Sequence, residues 1–199
     1  MRIALNLKGV DYESRPVNLV EGEQKASEYR ALNPQGFVPM LEIDDHRLTQ
    51  SLAICNYLNS RYPEPPFMPD DAADRAHVLS LALTIACDIH PLNNLRVLKY
   101  LGGRLSQDQV ARDKWYAHWI TEGFEALEAM AAQRAGAFLF GNSPGLADIC
   151  LVPQLYNARR FSLDLSPYPT LVRIEAACLA LPEFDDARPE AQPDAPAPQ

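Results

Sequence analysis

Basic residues are in short supply in this 199-residue chain: 18 lysines and arginines face 26 aspartates and glutamates, for a formal net charge of -8. A surface of that sign repels phosphate, so neither nucleic acid nor an anionic membrane is expected as a partner, and an anionic ligand must meet a local basic cluster. Long apolar runs are missing too. With no stretch of about 18 apolar residues and no signal-peptide pattern, nothing points to membrane insertion or export, and a cytoplasmic location is the expectation. The four cysteines, Cys55, Cys87, Cys150 and Cys178, form no Cys-x-x-Cys pair. Each falls in an apolar helical run and reads as a reduced core thiol. His46, His77, His90 and His118 lack ligand spacing with one another or with the cysteines, so no metal site is expected. There is no internal repeat.

What is present is 47% apolar content, enough to bury a core as one large domain or two small ones. The elements before about residue 62 are short and mixed. A helix is expected over Arg2 to Lys8, a strand near Ser14 to Leu19 and a helix near Ala26 to Leu32. Strands follow over Val38 to Ile43 and Arg47 to Thr49, then a helix from Ser51 to Tyr62. The stretch "PEPPFMPDD", Pro63 to Asp71, can neither propagate a helix nor join a central ladder, and marks a linker. Only helical periodicity follows it, over roughly 72 to 101, 107 to 135, 145 to 157 and 170 to 181, with Ser106 and Gln109 as a capping box for the second. The final "ARPEAQPDAPAPQ" has the composition of a disordered or surface-tracing tail. The expected domains are therefore 1–62, a linker over 63–71, and a helical domain over 72–199.

The segment "GFVPMLEIDDHRLTQSLAICNYL", Gly36 to Leu58, concentrates the chemistry. Pro39 at a strand start removes a donor where none is needed and allows a cis bond; Val38 could then turn its N–H and C=O outward to pair with an extended peptide. Ser51, as an N-cap after Gln50, would leave helix amides free to attract a carboxylate. A hairpin turning at Asp44 and Asp45 brings the two features to neighbouring ends.

Five segments, "NPQGFVPML", "TQSLAICNYL", "DIHPLNNLRVLKYL", "WYAHWITEGFEALE" and "LADICLVPQLYNARRF", resemble in order and spacing the zeta-class glutathione transferases, the group of maleylacetoacetate and maleylpyruvate isomerases. The resemblance covers nearly the whole chain. It implies a thioredoxin-like α/β domain followed by an all-helical domain, with glutathione as cofactor on the first and an electrophilic substrate held between them, in a homodimer. The activity implied is cis–trans isomerisation of maleylacetoacetate to fumarylacetoacetate in tyrosine and phenylalanine catabolism. Maleylpyruvate isomerisation in gentisate degradation, general glutathione conjugation and a non-catalytic binding module stay open beside it. Glutathione thiolate adds to the activated double bond, the resulting single bond rotates, and elimination releases the trans product.

Carried onto these residues, the resemblance implies that Gln35, Val38, Pro39, Gln50, Ser51, His90 and Asn94 bind glutathione, and that Arg96, Arg159 and Arg160 hold the anionic maleyl substrate. Which of Arg159 and Arg160 faces the substrate stays open. On an ideal helix His90 and Asn94 share a face with Arg96 about 120° from His90, and Pro91 introduces a kink. Trp115 and Trp119 read as packing residues. Two departures stand out. The family's first strand and serine-containing loop would precede Arg2, where this sequence has only Met1; a misassigned start is the reading favoured, and within the chain His90 is the candidate to support the thiolate. At Gly145 the family has a Ser or Thr three residues before Asp148, and glycine caps less well.

Overall fold

Helix α1 (Arg2–Leu7) buries Ile3, Ala4 and Leu5 and ends at Lys8. The Lys8 ammonium is itself buried and donates to Asn59 Oδ1 at 3.2 Å, to the Pro63 carbonyl at 3.4 Å and to the Pro65 carbonyl at 2.5 Å. Three oxygens thus replace its water, while desolvation lowers its pKa. The computed structural model describes residues 1–195 and divides the chain into two units, residues 1–66 with the segment from 182 onward, and residues 67–181.

In the first unit the strand expected near Ser14 to Leu19 does not form. Residues 14–18 have no regular secondary structure and are largely exposed, and Leu19 falls in a turn; Pro16 has no N–H to donate, and among the described residues no strand lies alongside the segment. Helix α2 (Ser27–Leu32) leads through a short loop to an antiparallel hairpin of β1 (Met40–Ile43) and β2 (His46–Thr49), paired from Met40 with Thr49 to Ile43 with His46. Its two turn residues, Asp44 and Asp45, both have positive φ, 48° and 62°, the conformation that a tight two-residue hairpin requires and that Asp tolerates. Helix α3 (Ser51–Arg61) buries Ile54, Cys55 and Leu58.

The C-terminal segment also belongs to this unit, although the sequence places it with the helical domain. Helix α9 (Pro182–Asp185) buries Phe184, Arg2 donates twice to the Ala187 carbonyl at 3.2 and 3.0 Å, and Asn6 Nδ2 donates to the Glu183 carbonyl at 2.9 Å. A further turn of 3-10 helix spans Pro189–Ala191, so the expected tail is ordered through this point. Its last residues, 196–199, lie outside the described ones.

The second unit is all helical. Helix α4 (Ala72–Leu83) is capped by Asp71, whose carboxylate accepts from the amides of Ala73 and Asp74 at 2.9 and 3.0 Å. The continuous helix expected over 72–101 is interrupted: a π-helical turn spans Thr84–Ile89, a non-helical turn follows over 90–94, and α5 (Leu95–Gly103) starts afresh. Pro91 explains the break, since its ring would collide with the carbonyl of Cys87 and it has no N–H to give. Helix α6 (Gln109–Arg134) begins at Asp108, whose side chain accepts from Ala111 N at 2.8 Å. Ser106 instead adopts a positive φ of 53°, so the expected Ser106–Gln109 box is replaced.

Tyr116, Ile120, Phe124, Leu127 and Ala131 form the buried stripe of α6, with the helical spacing of a core face. Phe124 meets Tyr168 edge-on at 5.4 Å. Helices α7 (Leu146–Arg160) and α8 (Pro169–Leu179) complete the unit, and Glu128 caps α8 by accepting from Thr170 N at 2.9 Å and Leu171 N at 3.1 Å. Among the described residues no helix is long and apolar enough to cross a membrane. Cys55 and Cys178 are buried thiols, whereas Cys87 is exposed: it sits on the widened π turn, away from the apolar face that the sequence suggested.

Candidate active site

The loop from Asn33 to Pro39 and the start of α3 form one constellation. Val38 is 42% exposed, its bond to Pro39 is cis, and among the described residues neither its N–H nor its C=O has an intramolecular partner. An exposed residue with both backbone groups free is the kind of edge to which an extended peptide adds. Gln50 Nε2 donates to Gln35 Oε1 at 2.8 Å, joining this loop to the helix start.

Gln50, not Ser51, is the N-cap of α3, with φ 69° and no side-chain capping bond. Ser51 is therefore the first helical residue. That shift corrects the expected cap but leaves the anion-binding property in place: the first-turn amides have no intrahelical acceptor, the helix has no acidic residue there, and the exposed Ser51 hydroxyl stands beside them. Within the first unit the hydrogen bond between Gln35 and Gln50 joins the loop that carries Val38 and Pro39 to the start of α3, where Ser51 stands.

In the second unit the turn that carries His90 is tied to Trp115 and Tyr116 of α6. His90 follows the π turn, with its amide bonded to the Ile85 carbonyl at 2.9 Å. Its turn is pinned twice, by Trp115 Nε1 donating to the Leu92 carbonyl at 2.8 Å and by Asn93 Nδ2 donating to the Tyr116 carbonyl at 3.2 Å. Desolvation by the surrounding protein lowers the His90 pKa from its ordinary value, although the residue is exposed to solvent. Asn94 is not on a shared helical face with His90; it is the N-cap of α5 and accepts from Arg96 N at 3.1 Å. Arg96 is exposed in the first turn of that helix.

At the end of α7 the two arginines diverge. Arg159 forms a salt bridge with Glu175 of α8, a carboxylate side chain only 7% exposed. Arg160 is exposed, and among the described residues it has neither an ion pair nor a hydrogen bond. Its charge is felt at Tyr116, whose phenol it pulls back toward lower pKa against the larger raising effect of burial. The Tyr116 ring stacks on Phe161, with centroids 3.5 Å apart. Tyr116 therefore touches the His90 turn through its backbone and the Arg160 end of α7 through its ring.

Glu175 and Asn93 went unnoticed in the sequence, because a lone carboxylate or amide in a helical run carries no periodic signal. Trp115 read only as packing, yet its indole N–H holds the turn. Gly145 has a local reason. A Cβ there would lie 2.9 Å from the Phe67 carbonyl oxygen, which accepts the Leu146 amide at 2.9 Å. Asp148, three residues on, accepts the Gly145 amide and the Leu139 amide, each at 2.9 Å.

Comparison with known proteins bears on the same two regions. The glutathione S-transferase N-terminal domain matches residues 1–60 and its C-terminal domain matches residues 113–192. "Probable maleylacetoacetate isomerase" of Vibrio cholerae serotype O1 is 50% identical over 197 residues, 98% of this chain and 92% of the relative. The holo structure of a maleyl pyruvate isomerase, described as a bacterial glutathione S-transferase in the zeta class, superposes with a TM-score of 0.96 at 46% identity, covering 98% of this chain and 93% of that one. Maleylacetoacetate isomerase from Anaeromyxobacter dehalogenans with bound GSH in its active site gives a TM-score of 0.88 at 45% identity, covering 98% and 91%. The same protein with dicarboxyethyl glutathione and citrate gives 0.87 at 44%, covering 98% and 90%. The fold is accordingly that of the transferases, a thioredoxin-like domain followed by a helical one. From the matched domains, the identity over its full length and the superposition, this chain belongs to the zeta class of the glutathione transferases.

Proposed function

We propose that the protein is a glutathione-dependent cis–trans isomerase of maleylacetoacetate, acting in the cytoplasm as a homodimer. The observation that carries this reading is the free Val38 backbone beside the open amino terminus of α3. One feature suits the peptide part of glutathione and the other its glutamyl carboxylate. Bound there, glutathione supplies the thiolate nucleophile that attacks the activated double bond and leaves after rotation.

The chain's own residues have the remaining tasks. Val38 N–H and C=O pair with the cysteinyl backbone, while Gln35, Pro39 and Gln50 shape the groove around it. Ser51 and the first amides of α3 hold the carboxylate. His90, on a turn held by Trp115 and Asn93, is the second unit's own candidate to support the thiolate, with Asn94 at the end of the same turn as its further candidate for glutathione. Arg160 holds a substrate carboxylate, with Arg96 as the second cation and Arg159 reserved for Glu175.

The superposition with a maleyl pyruvate isomerase at a TM-score of 0.96 supports a second reading, with maleylpyruvate as substrate. Purified protein supplied with glutathione and each maleyl compound in turn decides between them. Conversion of maleylacetoacetate with glutathione recovered intact is the expected result. Faster conversion of maleylpyruvate establishes the second reading, net consumption of glutathione indicates a conjugating transferase, and binding without turnover indicates a non-catalytic module. Light scattering tests the dimer.

A further inference from the structure

Asn33 is buried, 2% exposed, at the C-terminal end of α2, and each kind of polar group it has is bonded. Its N–H donates to the Tyr29 carbonyl at 2.8 Å, and its C=O accepts from Gly36 N at 2.8 Å. Its Oδ1 accepts from Gln35 N at 3.2 Å and its Nδ2 donates to the Phe37 carbonyl at 2.8 Å. The Tyr29 hydroxyl donates to that same Phe37 carbonyl at 2.7 Å. Lys25 Nζ donates to the neighbouring Gly36 carbonyl at 3.1 Å, with its ammonium 4.9 Å from the centre of the Phe37 ring. Gly36 has φ 61°, and a Cβ on it would lie 2.6 Å from the Gln24 carbonyl oxygen, so the loop is closed from the other side as well.

The Phe37 carbonyl and the Val38 N–H belong to one planar peptide unit. Two donors that fix the direction of the carbonyl also fix the direction of the N–H at the other side of the plane. We propose that Tyr29 and Asn33 are positioning residues: by anchoring the Phe37 carbonyl they aim the Val38 N–H at the peptide ligand. Neither needs to touch glutathione. The inference rests on the reading of Val38 as the glutathione-pairing residue. Its consequence is that affinity for glutathione depends on a phenol and an amide belonging to α2, because an edge that is already oriented loses less freedom on binding.

The test is calorimetry of glutathione binding to the full chain and to Tyr29→Phe and Asn33→Asp, with thermal melts and steady-state kinetics beside it. Tyr29→Phe removes one donor and keeps the ring; a glutathione Kd about 3- to 10-fold higher is expected, the worth of one hydrogen bond. Asn33→Asp keeps the acceptor for Gln35 but turns a carboxylate oxygen toward the Phe37 carbonyl, and a larger loss is expected. For Tyr29→Phe the kcat at saturating glutathione and the KM for the maleyl substrate should be unchanged, with the melting temperature lowered by no more than a few degrees. A Kd within about twofold of the unaltered protein overturns the proposal, as does a kcat that falls in step with the melting temperature. If Asn33→Asp does not fold, Tyr29→Phe alone decides. Absence of glutathione binding by the unaltered protein would instead overturn the reading of Val38, and this proposal with it.

Discussion

Arg159 and Arg160 are adjacent in sequence and differ entirely in what they face. Arg159 neutralises Glu175, whose side chain is almost wholly removed from water. Arg159→Met strands that carboxylate and should cost about 1 to 3 kcal/mol of stability, the lower part of the range reflecting the solvent that reaches the arginine. Arg160→Met should leave the denaturation curve in place and raise the KM for maleyl substrates about 10- to 100-fold, with glutathione affinity intact. Urea denaturation and steady-state kinetics on both variants check the pair, and an exchange of the two phenotypes would reverse the assignment. Ser51→Ala should weaken glutathione binding by about 1 to 3 kcal/mol through loss of a hydrogen bond to a carboxylate. Calorimetry reads this directly, and unchanged affinity would move the carboxylate site away from α3.

At the scale of elements, the hairpin, α3 and the long helices were legible in the sequence because their apolar spacing and their turn residues agree. What was not legible depended on contacts distant in sequence. The break between α4 and α5 is announced by Pro91, but the π turn before it and the hydrogen bonds of Trp115 and Asn93 that hold the His90 turn come from packing on α6. The strand expected near Ser14 had a plausible composition and no partner among the described residues. Of the candidate site, residue types and order were readable, while Ser51 as first helical residue and the engagement of Arg159 by Glu175 were not. Gly123 illustrates how such packing is set. It lies mid-way along α6, where glycine costs about 1 kcal/mol relative to alanine, yet a Cβ there would lie 2.3 Å from Ile89 Cδ1 and Cγ1. Ile89 is fully buried and immediately precedes His90. Gly123→Ala should therefore destabilise the protein by about 1 to 3 kcal/mol despite its better helix propensity, as measured by chemical denaturation, and should lower kcat by shifting the His90 turn. A more stable variant would show that Ile89 can move aside freely.

For the whole molecule, Asp148 gives stability a pH dependence. Burial raises its pKa to about 6 from an ordinary 3.8, against the opposing pull of the amides of Leu139 and Gly145. Because the folded state holds this proton more tightly than the unfolded one, the contribution is full below about pH 4, declines as pH rises toward 6, and is gone above that. Over that interval stability should fall by at most about 3 kcal/mol relative to Asp148→Asn. Denaturation of both proteins at pH 4, 5, 6 and 7 tests this; a constant difference would mean that the carboxylate stays ionised throughout. The return of the C-terminal segment to the first unit has a consequence of a different kind. A ribosome makes α1 well before the residues that donors on α1 grip, Glu183 and Ala187, which follow only after all of Phe67–Leu181 has been translated. At about 5 to 20 residues per second that delay is on the order of ten seconds, so the first unit is completed only after the second has been made. During that interval the loop that carries Val38 belongs to an unfinished unit, and chaperone demand should fall on residues 1–66.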